Sequence, residues 1–139
     1  MKKMISLLLV GFLFSSCEEE EIGLGTGKIY VAGWEYSGPG VKIENEDCAA
    51  GNIVSVALEE KDIYLFVFNM PEAASGSFRV GSRSDGTCAL KIGIKHGAKN
   101  YYSLSGTLTK TGARKYNYII TMYSDFSDDF YTSQGEGSY

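Results

Sequence analysis

The sequence predicts an all-β fold: a single antiparallel β-sandwich or small β-barrel of about eight or nine short strands. Three observations predict it. Gly is abundant at 17 of 139 residues and Pro scarce at 2, while 10 Tyr and 7 Phe dominate the aromatics. Aromatic side chains suit a pleated, half-buried surface, and Gly punctuates turns and bulges. Short apolar or alternating runs recur at roughly 8–12-residue spacing with turn residues between them, the pattern of sandwiches and barrels. Beyond residue 17 no window carries the period of an amphipathic helix, and Met70-Pro71-Glu72-Ala73-Ala74 has room for one turn at most.

The elements follow in order. A first strand is expected over 29–34, closed by Ser37-Gly38-Pro39-Gly40, a strong breaker. A shorter strand over 41–44 and another over 52–58 come next. The run 63–69, Ile-Tyr-Leu-Phe-Val-Phe-Asn, has almost no polar face and reads as a central strand covered on both sides. After 76–80 and a turn at Asp85-Gly86, residues 88–95 alternate. Leu90, Ile92 and Ile94 point one way and Lys91, Gly93 and Lys95 the other, a strand with one wet face. Segments 101–109, 115–123 and 130–139 complete the set. Ser75-Gly76-Ser77-Phe78, Ser105-Gly106-Thr107-Leu108 and Gly135-Glu136-Gly137-Ser138-Tyr139 place Gly shortly before a large side chain, as a strongly curved sheet needs.

The N-terminus reads as a removable signal. Met1-Lys2-Lys3 is a positive start, residues 4–14 are apolar, and Ser15-Ser16 are small residues before Cys17. An apolar stretch of eleven is too short to span a membrane. Phe14-Ser15-Ser16-Cys17 resembles the bacterial lipobox, with Phe14 in place of the usual Leu. The resemblance implies a signal peptide over 1–16 and a diacylglyceryl cysteine at Cys17, carrying palmitate-type chains. Membrane contact then comes through that lipid, at ~0.8 kcal/mol per buried CH₂. Glu18-Glu19-Glu20-Glu21 and the Gly-rich stretch to residue 27 form a solvated tether, leaving an all-β domain over 28–139. An acidic cluster directly after the lipidated Cys also resembles the export signal of Bacteroidetes-type surface lipoproteins. That implies an outer-membrane, cell-surface address, with a periplasm-facing position as the alternative, and no particular activity.

Loss of Lys2 and Lys3 with the signal leaves 11 basic against 17 acidic residues, a net charge of −6 against −4 for the whole chain. An acidic chain without a basic stripe is a poor partner for nucleic acid. Acylation of Cys17 leaves Cys48 and Cys88, an even pair in an oxidising compartment, expected to form one disulfide. Two buried thiols are the other possibility. No CxxC occurs, and no metal or other cofactor is expected.

Little points to catalysis. His96 is the only His and is expected in an exposed loop, and no Gly-x-Ser-x-Gly elbow exists to use it. Glu44, Glu46, Asp47, Glu59, Glu60 and Asp62 fall in turns, where acids serve solubility. Asp125-Phe126-Ser127-Asp128-Asp129 has oxygen ligands for Ca²⁺ but reads better as a solvated turn. The aromatics are the remaining lead. Trp34 and Tyr36 flank a Gly/Pro turn and Tyr101-Tyr102 open a strand, placing four amphipathic rings where a glycan or protein ligand could stack. The expected function is that of a non-enzymatic, lipid-anchored envelope protein binding such a ligand. Two alternatives stand beside it. One is a hydrolase inhibitor using Ser82–Thr87, with Arg83 and Asp85, as a rigid charged plug. The other is a structural subunit of an envelope assembly, with an uncovered strand edge over 130–139.

Overall fold

Buried positions alternate with more exposed ones along the first described strand, where Gly27, Ile29 and Val31 are buried. The computed structural model describes residues 25–44, 52–58 and 62–139, with Glu44 and the stretch 52–58 described by backbone alone. The expected signal over 1–16, Cys17, the acidic run and Cys48 lie outside the described residues. The described residues form nine strands: β1 (Gly25–Val31), β2 (Trp34–Glu44), β3 (Asn52–Leu58), β4 (Ile63–Phe68), β5 (Gly76–Arg79), β6 (Lys91–His96), β7 (Lys99–Gly112), β8 (Lys115–Ser124) and β9 (Phe130–Ser138). There is no helix among the described residues.

All ladders are antiparallel and belong to one curled sheet in the order β5-β7-β6-β4-β3-β2-β1-β9-β8, with β7 pairing β8 as well. The ladders therefore run through eight strands and return to their start, and β5 pairs β7 over Gly76–Arg79. The all-β, antiparallel expectation holds, in a barrel-like sheet. The edge expected to be uncovered over 130–139 is largely covered: residues 133–137 pair β1 on one side and β8 on the other, while Phe130–Thr132 pair β8 alone.

Period-2 patterning decides which side faces in. Ile29 and Val31 of β1, Ile63, Leu65 and Val67 of β4, Ile92 and Ile94 of β6, and Tyr116, Tyr118, Ile120 and Met122 of β8 are all buried. With Leu108 and Met70 they form one core inside the curl. Eight strands leave an interior that side chains fill. Leu90, Ile92 and Ile94 do face in, as the alternation predicts.

Three expectations need correction. Ser37-Gly38-Pro39-Gly40 is no breaker but the middle of β2. Pro39 is tolerated because β3 pairs β2 only from Gly40 onward, so the other edge of β2 is unpaired at Pro39. The turn lies earlier, at Ala32-Gly33, where positive φ at both residues (49° and 84°) gives the two-residue hairpin turn that matches strand twist. Strand β1 also starts three residues before the expected domain boundary at 28, because Gly25, Thr26 and Gly27 pair with Gly40, Pro39 and Gly38. Finally, β4 is not covered on both sides. Its inner residues are buried, but Tyr64 and Phe66 are half-buried and Phe68 is 36% exposed on the outer face.

Candidate functional site

Adjacent residues of a strand point to opposite faces, so Tyr101 and Tyr102 cannot serve one site. Tyr101 is buried inside the curl, and Tyr102 lies outside. Trp34 and Tyr36, two apart on β2, share the inner face. Trp34 packs edge-on against His96 at 4.7 Å, Tyr36 at 5.2 Å and Tyr101 at 6.0 Å, while Tyr101 meets Tyr131 at 5.4 Å. These rings fill one end of the interior. Burial raises the Tyr101 phenol above its ordinary value. His96 is not an exposed loop residue: it ends β6, half-buried, with Nδ1 finding no hydrogen-bond partner among the described residues. Three of the four sequence candidates thus belong to the interior and one to the outer surface.

The outer surface holds a second arrangement, which sequence reasoning missed. Tyr64, Phe66 and Phe68 project from the outer face of β4 with near-parallel planes (19° apart) and centroids 6.1 and 6.0 Å from one another. The next strand, β6, presents Lys91, Gly93 and Lys95 on the same face. Register places Phe66 opposite Gly93, and Gly93 opposite Tyr102 of β7. Glycine in the middle of this row leaves a gap between two aromatic walls, and a groove of about 290 Å³ opens there. A Cβ at Gly93 would meet only Phe68 Cε2 at 3.7 Å and Tyr101 O at 3.8 Å, ordinary contact distances.

The groove rim is cationic. Arg83 lies over the Tyr102 ring, its guanidinium carbon 4.1 Å from the centroid. Lys91 Nζ donates to the Asp85 carbonyl at 2.9 Å, and Lys95 lines the groove beyond Gly93. Among the described residues no carboxylate lines it, although the chain carries 17 acids against 13 bases.

The loop that delivers Arg83 is tied at its base. Gly81 N–H donates to Leu90 O at 2.7 Å, and Ser103 Oγ donates to Gly81 O at 2.7 Å while accepting from Ile92 N–H at 3.0 Å. Asn69 Nδ2 reaches the Thr87 and Ala89 carbonyls, both at 2.9 Å. The Asp85 carboxylate accepts the Ser82 N–H at 2.7 Å. In the loop expected to carry a charged plug, Ser82–Thr87, Arg83 lies back on the sheet over Tyr102 and Asp85 closes its own turn. The exposed Cys88 sits in this loop; its expected partner Cys48 falls outside the described residues.

A larger depression, about 570 Å³, opens on the opposite arc over Thr26, Lys28, Ser37, Lys115 and Glu136. Its charges are of both signs and Lys28 already faces Glu35 at 3.8 Å, so it is complementary to no single ligand class. In the loop 124–129, the Asp128 carboxylate accepts the Tyr123 hydroxyl, which fits a local turn. A scan against protein-family models, a search of curated proteins and a search of solved structures each return no match.

Proposed function

We propose that this chain is a non-enzymatic, lipid-anchored envelope lipoprotein displayed at the cell surface, and that it binds a glycan or protein ligand in the groove over Gly93. The observation that carries the binding assignment is a gap one side chain wide between Phe66 and Tyr102, rimmed by cations and, among the described residues, lined by no acid. Aromatic faces give apolar contact at little entropic cost, and the fixed Arg83 loop needs no reordering to receive a ligand. The anchor rests on the lipobox-like Phe14-Ser15-Ser16-Cys17 and the surface address on Glu18-Glu19-Glu20-Glu21.

A Cys48–Cys88 disulfide belongs to the same proposal. The connection from β2 to β3 leaves the sheet at Glu44, at the same end as the loop preceding β6. A bond there would brace the loop that holds Arg83.

Binding of the full-length chain to a glycan array tests the groove. Tyr102→Ala is expected to lower binding by about tenfold, as loss of a central aromatic contact does, and Trp34→Ala to leave it unchanged in the protein that folds. Binding that survives Tyr102→Ala intact sinks the groove. Palmitate labelling is expected to vanish in Cys17→Ser, and retained labelling sinks the anchor.

A further inference from the structure

We propose that the Gly93 groove takes a linear anionic polysaccharide lying along the strand direction, its sugar faces on the β4 aromatics and its carboxylate or sulfate groups on Arg83, Lys91 and Lys95. The inference rests on the groove being the binding site and adds the chemical class of the ligand.

Two parallel tracks argue for it. Tyr64, Phe66 and Phe68 repeat at 6.1 and 6.0 Å along β4, presenting one apolar ring per two residues. Beside them, Lys91 and Lys95 stand two positions either side of Gly93 on β6. A ligand satisfying both tracks is extended, has a repeating apolar face, and bears negative charge along one side. A polysaccharide of charged sugars has all three properties, because each pyranose ring exposes a C–H face while its acid group projects from the rim.

The alternatives fit less well. An extended peptide gains its affinity largely from backbone hydrogen bonds to a free strand edge. Strands β4, β6 and β7 are each paired on both sides, so the groove lies on a face with no such edge. Nucleic acid binding draws on many phosphate contacts, and three cations on an acidic chain do not supply them. A neutral glycan would use the aromatic track and gain nothing from the charges of Arg83, Lys91 and Lys95.

The test is calorimetric titration of the full-length chain with polygalacturonate, methyl-esterified polygalacturonate, dextran sulfate, dextran, poly-glutamate and single-stranded DNA, in low and high salt. Binding of polygalacturonate or dextran sulfate and not of their neutral counterparts is expected, weakening as salt screens the charges. Which of the two binds tells carboxylate from sulfate. Gly93→Leu places its Cβ at ordinary contact distances and the rest of its side chain in the gap, and it suits a strand better than Gly, so it is expected to fold and to lose at least about tenfold in affinity. Lys95→Gln is expected to weaken polyanion binding by several-fold and to flatten its salt dependence.

Equal binding of neutral and charged glycans, abolished by Gly93→Leu, overturns the anionic class and leaves the groove standing. Preference for poly-glutamate or DNA overturns the saccharide. Polyanion binding unchanged in both Gly93→Leu and Tyr102→Ala overturns the groove and this inference together, and so does absence of binding by every probe.

Discussion

Gly135 and Gly137 alternate along β9 as Tyr118 and Tyr116 alternate along β8, and register sets each glycine opposite a tyrosine. A Cβ on Gly135 would lie 2.5 Å from Tyr118 Cε1 and 2.6 Å from Lys28 O; one on Gly137 would lie 2.7 Å from the Tyr116 hydroxyl. The two absent side chains leave room for two buried rings, so these glycines are packing residues. Gly135→Val is expected to destabilise by about 1–3 kcal/mol, the usual cost of overpacking, read from urea denaturation midpoints. Trp34→Ala opens a hole among His96, Tyr36 and Tyr101 and is expected to cost about 2–4 kcal/mol. A Trp34→Ala protein as stable as the parent would show that the inner cluster contributes no packing. Gly93 answers to a different rule, since a Cβ there meets nothing closer than 3.7 Å. Its role is to leave space outside the sheet, not inside it.

At the scale of elements, the hairpin joining β1 and β2 carries a visible cost. Ala32 sits at φ 49°, a region that side chains with a Cβ enter at ~1–2 kcal/mol. Ala32→Asn is therefore expected to raise stability by about 0.5–1 kcal/mol, since Asn and Gly are the residues this turn prefers. A thermal melt compared with the parent checks it, and a lower midpoint contradicts the turn assignment. The same turn explains what was legible in the sequence. Strands β3, β4 and β6 announced themselves through apolar runs or strict alternation, and β3 lies where expected. Strand β2 did not, because Gly38, Pro39 and Gly40 look like punctuation until it is known that β3 leaves that edge free. The site followed the same logic. Tyr102 was singled out among the aromatics, yet the groove depends on which rings share a face across β4, β6 and β7, and the register of non-adjacent strands is not written in local pattern. The signal available was the apolar run of β4, whose outer rings have no second layer over them among the described residues.

For the whole molecule, the buried phenols set the alkaline limit. Burial raises Tyr116 and Tyr118 well above 10.0, and raises Tyr101 and Tyr139 in the same direction. A folded state that holds these protons longer than the unfolded chain has this contribution intact below pH 10 and loses it as pH rises further. Lys110 acts with the opposite sign. Its amine is buried, donating to the carbonyls of Pro71 and Ala113 at 3.0 Å and to the Tyr139 hydroxyl, and burial pushes it below 10.5. Its unfavourable charge is therefore shed earlier in the folded state, and its contribution rises with pH up to that value. Four tyrosines outweigh one lysine, so stability is expected to fall above pH 10, with tyrosinate absorbance rising together with unfolding. Gradual ionisation of all tyrosines in a still-folded chain would contradict the burial of Tyr116 and Tyr118. The proposed disulfide has its own measurement: reduction is expected to lower stability by roughly 3–4 kcal/mol for a loop of this length, with no change in Cys48→Ser. The position of β9 between β1 and β8 carries one more consequence, for the order of folding. The seam joins strands more than a hundred residues apart, such as Lys28 and Glu136, so the ring cannot close until β9 has been made. A nascent chain stopped before residue 130 has both β1 and β8 with an open edge, and it is expected to stay loose and sticky until synthesis reaches the segment that closes the circle.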